Sequence, residues 1–218
     1  QIYAYMPSRE MLEEARADGT VDRILTGAEP CLADCNAVFL CAPVQTNARY
    51  LETLREILTP DTLITDVGSS KQSIERTVLR LGLGAQFVGG HPMAGSEKSG
   101  YSYSDALLLE NIFYLLCPTA DTRPEMLTRM ETLAHVMLAN PYVIDAATHD
   151  RAVATISHLP HLIAAALVNL VKDTDNAAHT MRSLAAGGFK DITRIASSSP
   201  IMWQQIFSAN REAVLAVL

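Results

Sequence analysis

The sequence has no zinc-type cysteine spacing, no cluster of basic residues and no unbroken apolar run of the ~18–20 residues needed to cross a bilayer. The longest apolar stretch, from Leu162 to Val171, is interrupted by Asn169. No membrane span is therefore expected. With a net charge of −7, the chain is not expected to bind a nucleic-acid backbone. No secretory signal pattern opens the chain, and Gln1 to Tyr5 reads instead as a strand. Four cysteines, Cys31, Cys35, Cys41 and Cys117, fit no C-x-x-C pattern. They read as reduced, mostly buried thiols of a cytoplasmic protein without a metal site. Nearly half the residues are apolar, enough for a folded core and too many for a disordered chain.

The first two-thirds alternate short apolar runs with helical patterns. Strands are expected at residues 2–5, 37–42, 63–66, 86–90, 112–117 and 142–145, with helices near 9–18, 46–58, 71–81 and 124–138. Nearly all-apolar strands separated by helices imply a parallel sheet covered on both faces. Such sheets bind ligands at the carboxyl ends of their strands. After Asp145 the texture becomes wholly helical. Thr148 is the expected N-cap of a helix running from about His149 to Val171, and Pro160 should kink it. Gly187-Gly188 should break the next segment, and Ser199-Pro200 should open a final helix over 201–218. The expected fold class is α/β followed by all-α, with domains at 1–145 and 146–218.

A glycine-rich strand-to-helix turn is missing. The pattern starts at what reads as the second strand of a Rossmann-like dinucleotide fold, whose first strand and glycine turn should precede it. Gly82-Leu83-Gly84, the sole G-x-G, precedes a strand and reads as a plain turn. The sequence is thus expected to be N-terminally incomplete by one strand-turn-helix unit, leaving a gap in the sheet.

Four segments carry chemistry. In Asp66-Val67-Gly68-Ser69-Ser70-Lys71, a strand gives way to a helix that either serine can cap. Gly89-Gly90-His91-Pro92 places an imidazole at the next strand end, where it suits a proton acceptor near neutral pH. On the following helix, Asp150, Ala154, Ser157 and His161 fall in one stripe at 100° per residue, with His158 off it. That stripe is either a buried polar network or a substrate-facing wall. In Gly187-Gly188-Phe189-Lys190-Asp191-Ile192-Thr193-Arg194, Asp191 and Arg194 are spaced to pair, and the guanidinium also suits a carboxylate.

Together these segments resemble the prephenate/arogenate dehydrogenases of tyrosine biosynthesis. The resemblance is carried by residues 66–71, by Gly90-His91-Pro92-Met93-Ala94-Gly95-Ser96-Glu97-Lys98-Ser99-Gly100, by Ser157-His158-Leu159-Pro160-His161, by 187–194 and by Pro200-Ile201-Met202-Trp203, and it spans the chain. It implies a dinucleotide-binding domain, a helical domain that builds a homodimer, and NAD- or NADP-dependent oxidation of prephenate or arogenate with loss of CO2. It implies that His91 accepts the hydroxyl proton, that Ser69 holds that hydroxyl and that Arg194 binds the ring carboxylate. His161, Asp150 and Ser157 would line the substrate, Lys190 and Trp203 would lie near it, and Glu97 with Asp191 would form an ionic cluster about Arg194. The cofactor would run along Met6, Ser8, Arg9, Cys41, Ala42, Pro43, Asp66 and Gly68. The acidic residue that usually ends the second strand is replaced here by Met6-Pro7-Ser8-Arg9, which points to tolerance of a 2′-phosphate and hence NADP. Two other readings stand beside it: a non-catalytic dimerisation or effector-binding remnant, and a β-hydroxyacid dehydrogenase. The histidine-rich helix argues against the last, which would need a catalytic lysine.

Overall fold

The computed structural model describes residues 1–95 and 100–218. β1 (Tyr3–Ala4), α1 (Arg9–Ala17) and β2 (Arg23–Ile24) form a small parallel unit. A second sheet follows, with β3 (Ala37–Leu40), α2 (Val44–Leu54), β4 (Leu63–Asp66), α3 (Gln72–Arg80) and β5 (Phe87–Pro92) wound in parallel. β6 (Phe113–Pro118) pairs antiparallel to β5, and α4 (Pro124–Val136) returns the chain so that β7 (Asn140–Val143) lies parallel to β6. The parallel arrangement therefore holds through β5 and reverses once. A parallel return needs a crossover, usually a helix. Among the described residues, the link from β5 to β6 carries only a 3-10 turn at Tyr101–Tyr103. The two sheets are not hydrogen-bonded to each other, and the break lies between the strands that flank the expected gap.

The pleat sorts neighbouring residues to opposite faces. Ile64 and Phe87 pack with Leu51, Leu54, Ile74 and Val78 under α2 and α3. Leu63 and Val88 pack with Tyr114, Leu116, Met126 and Met130 under α4. β4 is buried at all four positions, which explains its unbroken apolar character up to Thr65 and Asp66. The two-residue strand β2 was not among the expected strands.

The helical part starts at α5 (Ala146–Val153), passes through a π turn (Ala154–His158) and continues as α6 (Leu159–Thr174). Asp145, rather than Thr148, is the N-cap: its carboxylate accepts from Thr148 N at 2.9 Å. Pro160 supplies no N–H to the carbonyl four residues back, and the preceding turn widens. The result is one 29-residue helix, long and apolar enough by composition to cross a bilayer, although no single apolar run reaches that length. It carries His149, Asp150, His158 and His161 in buried positions, so one side is built for protein contact. The π turn also shifts the helical phase. His158 joins the buried side, while Ser157, expected on the stripe, is half-buried.

α7 (Thr180–Leu184), α8 (Gly187–Thr193), α9 (Pro200–Ala209) and α10 (Arg211–Val217) complete the chain. The segment breaks at residues 185–186, and Gly187 and Gly188 open α8 on the far side of the break. Ser199 Oγ caps α9 by accepting from Met202 N at 3.4 Å, with Pro200 at the first helical position. The expected final helix is split at Asn210, whose side chain is committed to other elements.

Candidate active site

β4 and β5 end side by side, and their tips are tied together through Asp66. Its Oδ1 accepts from Gly90 N at 3.2 Å, and its Oδ2 accepts from Gly68 N at 2.9 Å and from the Lys71 ammonium. Lys71 Nζ also donates to Gly90 O at 2.6 Å. Asp66 and Lys71 are both fully buried, so the Asp66 side chain is not offered to a cofactor as expected. Gly90 is required by this packing. A Cβ there would lie 2.5 Å from the Asp66 carbonyl oxygen and 2.9 Å from the Tyr114 ring. The paired glycines thus admit neighbouring protein rather than a ligand.

His91 follows at the end of β5. Its Nδ1 lies 2.8 Å from Nε2 of His149, and His149 Nδ1 lies 2.9 Å from Asp150 Oδ1. Asp150 in turn accepts from the backbone N–H of Lys71 at 2.7 Å and of Gln72 at 2.9 Å. These are N-terminal donors of α3, which the sequence assigned to Ser69 or Ser70. The cap comes instead from a carboxylate 79 residues away in the helical part. Asp150, expected to line the substrate, is completely buried behind His149. Burial opposes its charge, but the hydrogen bonds from His149, Lys71 and Gln72 prevail and hold its carboxyl below the usual range.

Asn210 completes the frame by donating to the Asp150 carbonyl oxygen at 2.8 Å and to His158 Nδ1 at 3.1 Å. Burial, assisted by His149 and Lys71, pushes His91 down to about 3. Burial likewise lowers His158 to about 4. Both imidazoles are neutral at physiological pH, which suits His91 to accept a proton.

His161 lies on α6 and stacks on Trp203 of α9, with ring centroids 3.5 Å apart and planes 7° off parallel. His161 Nδ1, Trp203 Nε1 and Ser70 Oγ are buried polar atoms with no hydrogen-bond partner among the described residues. Such atoms are unfavourable unless a polar ligand completes them. Ser69 stands half-buried in the turn between β4 and α3, beside the fully buried Ser70. Lys190, Asp191 and Arg194 are exposed at the carboxyl end of α8 and just beyond, and α8 packs on α6. Glu97 lies outside the described residues.

On the other side, Met6 and Arg9 line a pocket of about 230 Å³ with Tyr5, Pro7, Leu12, Ile24, Leu25 and Thr26 at the carboxyl end of β1. Ser8 precedes α1 without a side-chain cap bond, and Arg9 pairs with Glu13 at 3.3 Å. Cys41, Ala42 and Pro43 follow β3, with Cys41 exposed. Sequence reasoning missed His149, Lys71, Gln72 and Asn210 as parts of this centre. The adjacent imidazole and carboxylate of His149-Asp150 were the sole local hint. Nothing local marks Asn210.

The family model for the prephenate dehydrogenase nucleotide-binding domain matches residues 1–140, and that for the prephenate dehydrogenase dimerization domain matches residues 145–218. The chain is 38% identical over 200 residues to the prephenate dehydrogenase of Bacillus subtilis, covering 91% of this chain and 53% of the relative. It is 30% identical over 218 residues to the cyclohexadienyl dehydrogenase of Zymomonas mobilis, covering 100% of this chain and 74% of that one. The crystal structure of prephenate dehydrogenase from A. aeolicus, in complex with hydroxyphenyl propionate and NAD+, superposes with a TM-score of 0.92 at 35% identity, over 100% of this chain and 76% of that one. The chain spans little more than half the length of the Bacillus relative. With a Rossmann-like sheet domain, a helical domain and both family models matched in order, the chain belongs to the prephenate dehydrogenase family.

Proposed function

We propose that the whole protein oxidises prephenate, or its amino counterpart arogenate, at the ring C4 alcohol with loss of the ring carboxylate as CO2. Residues 1–145 act as the cofactor half and residues 146–218 as the substrate and dimer half. The observation that carries this reading is His91. It is a neutral imidazole on a strand tip, braced by His149 from the helical half.

NAD or NADP, when bound, supplies the hydride acceptor. The pocket at Met6 and Arg9, the uncapped Ser8 hydroxyl, the Cys41-Ala42-Pro43 turn and Gly68 fit that group along the strand ends. The chain's own work is orientation and proton transfer, because aromatisation drives the reaction. His91 accepts the proton of the C4 hydroxyl, and Ser69 holds that oxygen. Arg194 pairs with the ring carboxylate, with Asp191 and Glu97 about it. His161, stacked on Trp203, presents its buried polar edge to the substrate, with Ser157 and Lys190 nearby. A homodimer through the helical half is supported by the dimerization-domain match and by the exposed Ile163, Leu170, Leu184 and Ile201. The four free thiols support a cytoplasmic setting.

The test is a cross of both acids with both cofactors, using full-length protein. At least one pairing should give reduced cofactor and CO2. No turnover in any of the four would overturn the reading.

A further inference from the structure

We propose that His149 is a positioning residue that, together with Asp150, fixes the tautomer of His91 and takes over its second proton during turnover. This inference rests on the reading of His91 as the proton acceptor. The Asp150 carboxylate can only accept hydrogen bonds. It takes them from Lys71 N and Gln72 N and faces His149 Nδ1 at 2.9 Å. His149 must therefore carry its proton on Nδ1. In the neutral ring Nε2 is then an acceptor, and it faces His91 Nδ1 at 2.8 Å. His91 must accordingly carry its proton on Nδ1, which leaves its Nε2 lone pair bare. One buried carboxylate, acting through two rings, makes the outer nitrogen of His91 a base.

The same contacts settle where charge goes. Among the described residues, Lys71, His149 and His158 disfavour a proton on His91, and Asp150 alone favours one. Alone, His91 holds an added proton poorly. When the substrate hydroxyl proton arrives at Nε2, the Nδ1 proton moves to His149 Nε2. The positive charge then rests on His149, against the Asp150 carboxylate. One proton enters, one moves along, and the hydride leaves separately to the oxidised nicotinamide. Asp150 is held in turn by α3 of the sheet half, and its backbone carbonyl by Asn210. Base strength thus depends on how the two halves sit together.

Nitrogen-15 imidazole spectra of the full-length protein at neutral pH test this without any variant. His91 and His149 should both be protonated on Nδ1 alone. A proton on His91 Nε2, or an imidazolium at His149 in the free enzyme, would overturn it. Kinetics give a second readout. His149→Phe should lower kcat by about 100-fold or more, within the range set by general-base catalysis, with cofactor KM unchanged. His149→Gln, whose carbonyl can accept from His91 Nδ1, should recover at least tenfold of that loss. Equal activity in both variants, at either level, would count against the relay. Failure to turn over either acid would remove the activity reading while the spectra still decide the tautomer.

Discussion

The two halves of this chain bury themselves differently. In the sheet half, apolar residues close on each other in two clusters, one on each face, and β4 has no exposed position. In the helical half, burial is concentrated between Ala146 and Ala164, where α5, the π turn and the start of α6 meet the sheet half and α10. Beyond Ala164, Asn210 and Val214 alone are fully buried, while Ile192, Ile201, Leu184 and Leu215 are exposed. Helices cover both faces of the main sheet and bury most of its apolar side chains. The short helices after Ala164 leave most of their apolar side chains exposed, although the sheet half also exposes Phe113, Val136 and Tyr142. The candidate active site lies where the two halves meet, with Asp150 of the helical half on the N-terminus of α3.

The largest effect should come from the seam itself. His91→Asn should reduce kcat by about 10²–10⁴-fold, the range for a general base, with cofactor affinity unchanged in a binding titration. Near-native turnover would detach the seam from the chemistry. Next is the brace inside the sheet half. Lys71→Met leaves the Asp66 carboxylate buried without its cation, which should cost about 3–5 kcal/mol in denaturant unfolding. A loss below 1 kcal/mol would mean that Gly68 N and Gly90 N suffice to hold that charge.

The helical half should yield in assembly rather than in folding. Ile163 and Leu170 lie seven residues apart on one exposed side of α6. The double change Ile163→Asp and Leu170→Asp should turn a dimer into a monomer by sedimentation at micromolar concentration. A dimer that persists would move the interface to another face.

Acid should act through the seam as well. His91 and His158 have folded values near 3 and 4, below the ordinary 6.5. Between those limits the unfolded chain binds more protons than the folded one, so stability is full above about pH 7 and falls as pH drops towards 4. Asp150, lowered below its usual 3.8, adds stability that is lost only at still lower pH. Tm should be flat above pH 7 and should decline between pH 6.5 and 4.5. A flat profile through that window would show that neither imidazole is buried neutral.

What could be read from the sequence divides along the same line. β4 was placed to the residue and α1, α3 and α4 to within two, because apolar periodicity is a local property. The position of His91 was legible as an imidazole at a strand tip, and its proposed role as proton acceptor came with it. The reversal at β6 was not, since no local pattern in a strand fixes the direction in which it joins its sheet. Asp150 was read as a substrate contact because its role depends on donors at Lys71 and Gln72, far away in sequence. The stripe through Ser157 assumed 3.6 residues per turn, and the π turn before Pro160 broke that count. Asn210 ends α9 for reasons found only on α5 and the π turn.

The smallest effect separates folding from recognition at the edge of the sheet half. Arg9 is largely exposed, and its pair with Glu13 is an i,i+4 contact on a helix surface. Such pairs contribute about 0.3–0.5 kcal/mol, so Arg9→Ala should leave Tm nearly unchanged. If Ser8 and Arg9 receive a 2′-phosphate where a carboxylate would repel one, the same change should raise KM for NADP while leaving KM for NAD in place. An exposed guanidinium contributes to binding because a ligand can displace its weak intramolecular partner, which the buried Lys71 does not permit. Equal KM shifts for both cofactors would assign Arg9 to the shape of the pocket, and no shift would remove it from the cofactor site.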